Sequence, residues 1–397
     1  MGFLSEWYYD SPRTVAGALQ RGLGRGAVRA GPDDVFACVR RDYRWNWSVD
    51  ERAVYLARLV RDLRLPVGRL VDLLREDHGE DDDNAFGNTR EVLTVLGRAG
   101  DPTALDALPA YVRDGPGWLD VLHDIAHDWP RELWDDLLPL VAPRMAGVED
   151  MIFWAGPPWT DWAERDGWIA ARVAASRPGP PRPVSDDTVE DLLAAVRTGD
   201  RAALRELDRR GPQPALLDLA DAVPADLHGS FGSAVCKIGA PAVPHARTWA
   251  ARPEHPLFWS ACLILAEHGD ESDGPALLRA WAWLDGRDGM LCGFEDLAKG
   301  FARIGVRAGL PKLRRAWCTP HTFERAAYLR ALVALDPGGA ERFLTEGLWD
   351  CEGDVREFAA AHVPLSAVIR RRLDVLRDDP METPEVRAAA AARIGGP

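Results

Sequence analysis

A chain of 397 residues exceeds what one compact core usually organises, so it predicts two domains or an elongated array of repeats. With 47% hydrophobic and 28% charged residues it has the make-up of a folded chain, which excludes wholesale disorder. The formal net charge of −14 argues against generic binding to nucleic acid or to anionic membranes, and it favours a protein or peptide partner that is neutral or basic.

The basic residues are nearly all arginine, a bias that with abundant Ala, Gly and Asp suggests a GC-rich, bacterial genome. Cys38, Cys236, Cys262, Cys292, Cys318 and Cys351 are widely spaced and form no CxxC pair, so reduced thiols in a cytoplasmic protein are expected. The opening MGFLSEWYYD lacks the basic and apolar regions of a secretory signal, and no later stretch is apolar for long enough to span a membrane.

In chain order, Arg40, Arg41, Tyr43, Arg44, Trp45 and Trp47 come first, mixing guanidinium groups with aromatic rings as partner-binding hot spots do. Leu56, Leu59, Val60 and Leu63 then form a helical stripe. The run from Glu76 to Asn84 is rich in oxygen ligands but lacks the spacing of a calcium loop, and reads as a solvated connector. Gly100-Asp101-Pro102 and Asp114-Gly115-Pro116 punctuate short helices, and Trp118, Leu122, Ile125, Ala126 and Trp129 form a second stripe.

On that second helix His123 and His127 lie one turn apart beside Asp120 and Asp124, a spacing that holds zinc in some enzymes. Asp124 stands where a zinc protease would carry its glutamate base, so the solvated face of a helix is the stronger reading and no cofactor is implied. Sixteen tryptophans against six tyrosines is an inverted ratio. Trp154, Trp159, Trp162 and Trp168 fall in a turn-rich segment, as partner contacts or as plugs between irregular helices.

The proline-rich stretch from Ser176 to Ser185 suits an extended spacer, so residues 1–175 are expected to form an irregular helical domain, 176–187 a linker and 188–397 a repeat array. Asp187 or Thr188 would cap the first helix of that array, Val189 to Arg197. Shifting the chain by about 31 residues superimposes Arg325, Arg356 and Arg387 on one another, and likewise Phe301, Leu332, Val363 and Ile394.

Two segments in that register, Asp354-Val355-Arg356-Glu357-Phe358-Ala359-Ala360 and Glu385-Val386-Arg387-Ala388-Ala389-Ala390, resemble the opening of a HEAT repeat. The resemblance implies an all-α fold, an α-α superhelix or right-handed solenoid of HEAT-like helix pairs, whose concave surface would serve as a non-catalytic protein-binding scaffold. In that family an Asp six residues before the repeat Arg can build a ladder, and here Asp350 stands at that distance from Arg356, with Thr319 and Met381 in the matching places.

Two other functions follow from the same sequence. Some HEAT-like proteins are DNA glycosylases that act on alkylated bases, and Trp129, Trp134 and Asp135 offer the residue types for it, beside an arginine-rich stretch from 40 to 75. A metal-binding enzyme centred on His123 and His127 is the third reading.

Overall fold

The computed structural model describes residues 9–45, 49–76, 83–177, 186–287 and 292–396, and every regular element among them is helical. None of these helices is long and apolar enough to cross a membrane. Contacts divide the chain into a composite unit, residues 9–177 together with 346–396, and a central unit, residues 186–345. The composite unit thus joins the two ends of the chain, whereas the sequence suggested contiguous domains; most of the spacer on which that division rested, residues 178–185, lies outside the described residues.

The composite unit starts with α1 (Val15–Leu19), α2 (Gly24–Arg29), α3 (Pro32–Arg40), α4 (Arg52–Asp62), α5 (Gly68–Arg75), α6 (Asp83–Arg98), α7 (Pro102–Asp114) and α8 (Trp118–Asp128). Helix α6 is its hub, packing on α3, α4, α5, α7 and α8 and burying Val92, Leu93, Val95 and Leu96 among them. Each such side chain contributes about 1.5–3 kcal/mol. The stripe Leu56, Leu59, Val60 is buried as expected, but Leu63 is exposed because the helix has already ended.

The stripe on α8 is also buried, and Trp129 continues it by lying across α6. Its Nε1 donates to the Thr94 carbonyl at 2.8 Å, and its ring fills the space where a Cβ on Gly97 would stand, 2.3 Å from Cζ2. Only glycine leaves room there.

Residues 346–396 attach to α1–α4 through charge. Helix α4 turns Arg58 and Arg61 toward the C-terminal segment: Arg58 Nε lies 3.2 Å from Asp379 Oδ2 and its Nη2 2.6 Å from Glu382 Oε1. Arg61 pairs with Asp379 at 2.5 Å. From the other side Arg356 donates to both Glu382 oxygens at 2.8 and 2.7 Å, and to the main-chain carbonyls of Asp350 and Cys351. Further along, Glu51 accepts from the Gly353 amide, Arg25 pairs with Glu346, and Cys351 N donates to the Gly22 carbonyl. Arg356, Asp379 and Glu382 are wholly enclosed.

The central unit is built of paired helices. His228–Cys236, Phe258–His268, Phe294–Ile304 and Arg325–Leu335 pack each on the next, while Val243–Ala250, Gly274–Asp285 and Leu310–Ala316 pair with them from the side. Thr188 caps its first helix, accepting from the Asp191 amide at 3.1 Å. Two of the arginines in the 31-residue register share one contact: Arg325 Nη1 donates to the Thr319 carbonyl as Arg356 Nη1 does to that of Asp350, both six residues back. The guanidinium therefore binds main chain at both places, and Arg387 departs by lying exposed.

Burial pushes the Glu382 carboxyl up, but Arg356 and Arg58 outweigh it and hold the group below the usual range; Asp379 is lowered likewise by Arg61, the Met381 amide and Arg58. Because the folded values lie below the unfolded ones, this stabilisation is present above the ordinary carboxylate range and lost as pH falls through the folded values. Glu382→Gln leaves Arg356 buried without its close counter-charge and Arg58 with Asp379 alone, and is expected to cost about 3–5 kcal/mol at neutral pH. Urea titrations from about pH 6 to about pH 3 should show a shallower acid loss in the variant than in the parent chain; equal slopes would contradict the assignment.

Candidate functional site

Where α4 ends, the Arg64 amide donates to the Arg61 carbonyl at 3.0 Å and the Leu65 amide to that of Val60 at 2.8 Å. This pair of bonds requires a left-handed residue between them, and Arg64 takes that conformation at φ 52°. Pro66 follows and prevents the helix from resuming. The turn opens a cavity of about 490 Å³ whose apolar wall is Val60, Leu65, Val67, Leu96 and Ala99. Its far wall is Pro380 and Met381, held in place by the ionic seam, since Met381 N donates to Asp379 Oδ1 and its carbonyl accepts from Arg58.

A second cavity of about 510 Å³ shares Pro102 with the first and runs between α5 and α7 over Val71, Ala107 and Ala110. Together they form an open groove whose rim carries Arg61, Arg64, Asp72, Arg75, Asp101 and Asp106. Half of these charges are engaged: Arg61 with Asp379 and Asp62, Arg75 with Asp114, and Asp101 with the Ala104 amide as the cap of α7. The groove combines an apolar floor with a polar rim, the pattern of a surface that holds a peptide segment.

The residues singled out in sequence are scattered by comparison. Arg40 pairs with Glu76 on the surface, and Arg41 lies over the Tyr43 ring, itself half-buried. Arg44 is buried against Asp42 and Glu91, which removes it from any interface. Trp45 is half-buried, and Trp47 lies outside the described residues, as do 77–82 of the acidic run. Trp159 and Trp162 are fully enclosed and Trp154 nearly so, in a chain of ring contacts that reaches Trp134, while Trp168 remains 40% exposed. These rings build a core, and Trp168 alone among the four offers a substantial free face.

The histidines on α8 are separated by their partners. Trp159 Nε1 donates to His123 Nε2 at 2.9 Å, so that nitrogen is the acceptor of a neutral ring, and burial lowers its proton affinity further. His127 is exposed. Arg90 takes both carboxylates, Asp124 at 2.6 Å and Asp120 at 3.5 Å; burial nevertheless pushes Asp124 up to about 7 against the pull of Arg90. Among the described residues the one triple of metal-type donors within 4.8 Å is Asp50, Cys351 and Glu352, where Arg52 already neutralises Asp50 at 2.7 Å.

The glycosylase residues are equally committed. Trp129 and Trp134 are buried with their indole N–H groups on main-chain carbonyls, and Asp135 accepts from Arg131 and Arg165. Of the arginines between 40 and 75, Arg44, Arg52 and Arg58 are buried in ion pairs, so their charge is spent inside the unit.

Sequence reasoning did not find the groove. Its one local trace is Leu63-Arg64-Leu65-Pro66, a helix end before proline that has arginine where glycine is usual. Comparison with protein-family models, with curated proteins and with solved structures finds no match in any of the three.

Zinc at His123 would have to displace the Trp159 hydrogen bond and compete with Arg90 for Asp124. Added zinc is therefore expected to leave the melting temperature unchanged; a rise of several degrees that disappears in His123→Ala would contradict this.

Proposed function

We propose that the chain is a non-catalytic, HEAT-like helical-repeat protein that binds a segment of a partner protein along the groove between α4–α5 and α6–α7. The observation that carries this is the groove itself: two contiguous open cavities with an apolar floor and charged rim, in a unit whose other prominent charge clusters are internally neutralised. The paired helices of the central unit and the shared i−6 bonding of Arg325 and Arg356 support the repeat reading. Six free thiols fit a reducing cytoplasm, and a net charge of −14 favours a partner that is neutral or basic overall.

Ala107 and Val71 are half-buried on the groove floor, so a charge at either blocks an apolar guest while leaving the core of α7 or α5 intact. Affinity capture from the native host is expected to recover a reproducible partner with the parent chain and about tenfold less with Ala107→Asp, equivalent to about 1.4 kcal/mol. Equal recovery by both, or no reproducible partner, would contradict the proposal.

A further inference from the structure

The backbone at residue 64 is the point where the chain departs from its own habit. Three other helix ends close with the same pair of amide bonds, and the left-handed residue in each is glycine: Gly22 at φ 63°, Gly100 at φ 92° and Gly199 at φ 94°. Among the described residues Arg64 is the one non-glycine with positive φ. An L side chain in that conformation is strained by roughly 1–2 kcal/mol relative to the right-handed form, so something has to offset it.

The two closing amide bonds are the same as at the glycine ends and so do not favour arginine, and no side-chain contact within the described residues does. The Arg64 side chain is exposed and makes no hydrogen bond, ion pair or ring contact within the described residues, whereas Arg61 on the same wall is held by Asp379 and Asp62. Interaction with the C-terminal dipole of α4 is no explanation, because Arg61 already places a positive charge in its last turn. The unspent guanidinium lines the 490 Å³ cavity, beside Leu65, Val67 and Met381. The one carboxylate in that lining, Asp101, is occupied in capping α7. Locally, then, the cavity sets one guanidinium with no side-chain partner beside an apolar wall, although the chain as a whole is strongly acidic.

We propose that this end of the groove is an acid-accepting subsite: it takes an Asp or Glu side chain of the partner segment onto the Arg64 guanidinium while the adjacent apolar residue of that segment enters the cavity. A planar guanidinium offers a carboxylate two parallel N–H bonds, which fixes direction as well as affinity. The subsite rests on the groove reading and gives it polarity, since of the two cavities the one next to Pro380 and Met381 carries the unpaired guanidinium, while Arg75 in the other is paired with Asp114. The partner remains neutral or basic overall, with one acidic residue placed against an apolar neighbour.

The test uses the full chain, a random dodecapeptide display library, and the variants Arg64→Gly and Ala107→Asp. Recovered peptides are expected to pair Asp or Glu with Leu, Ile or Phe, and changing the acid to its amide should weaken binding about tenfold on the parent chain and under about twofold on Arg64→Gly. Arg64→Gly should meanwhile raise the melting temperature by about 2 °C, because the strain is relieved, so its loss of binding cannot come from unfolding. Peptides that need Ala107 unaltered but bind Arg64→Gly as well as the parent would overturn the subsite and leave the groove standing. A library that yields no peptide sensitive to either variant would overturn both.

Discussion

The composite unit depends on a buried exchange of charge between α4 and the C-terminal segment. Arg58 and Arg356 share Glu382, and Arg58 and Arg61 share Asp379, so two carboxylates with no access to water serve three guanidinium groups. Burying any one of these ions alone would cost several kcal/mol. Each is tolerated only when the others are in place, and that mutual requirement fixes the position of the last fifty residues against the first sixty. Closing a loop of some three hundred residues costs only about 0.6 kcal/mol more than closing one half as long, because the cost rises with the logarithm of length.

The seam also builds the groove. Pro380 and Met381, which form one wall of the first cavity, sit between Asp379 and Glu382, and Met381 is hydrogen-bonded to both Asp379 and Arg58. Without the ionic contacts that wall would be absent, and the apolar surface of Val60, Leu65 and Leu96 would lie open. The stability of the unit and the shape of the groove are thereby linked through two acidic residues, neither of which lines the cavity. At Arg64 the relation is reversed, with a strained backbone kept beside the cavity although glycine would close the helix more cheaply.

Helix content, the two apolar stripes and the cap at Thr188 were legible in sequence because each depends on residues within a turn or two of one another. Of the three arginines in register, Arg325 and Arg356 share a bond six residues back and Arg387 does not; spacing placed Asp350 near Arg356, while the contact runs to its main-chain carbonyl. The seam was hidden for a physical reason. Arg58 and Asp379 are 321 positions apart, and nothing in the local pattern of α4 distinguishes an arginine that will be buried from one that will be solvated. The tryptophans left two readings open in sequence, partner contacts or plugs between helices, and the fold closes over Trp159 and Trp162 as plugs. Arg40 to Trp45 drew attention by composition, yet Arg44 finds its carboxylates at Asp42 and Glu91, the second of which lies on α6.

Amide hydrogen exchange on the full chain with and without Glu382→Gln tests the central claim most directly, that the ionic seam holds α4 and the C-terminal segment as one cooperative body. The account predicts that protection falls together in residues 52–62 and 353–382, and around Leu65 and Leu96 on the groove wall. Loss confined to the neighbourhood of residue 382, with α4 as protected as before, would contradict it.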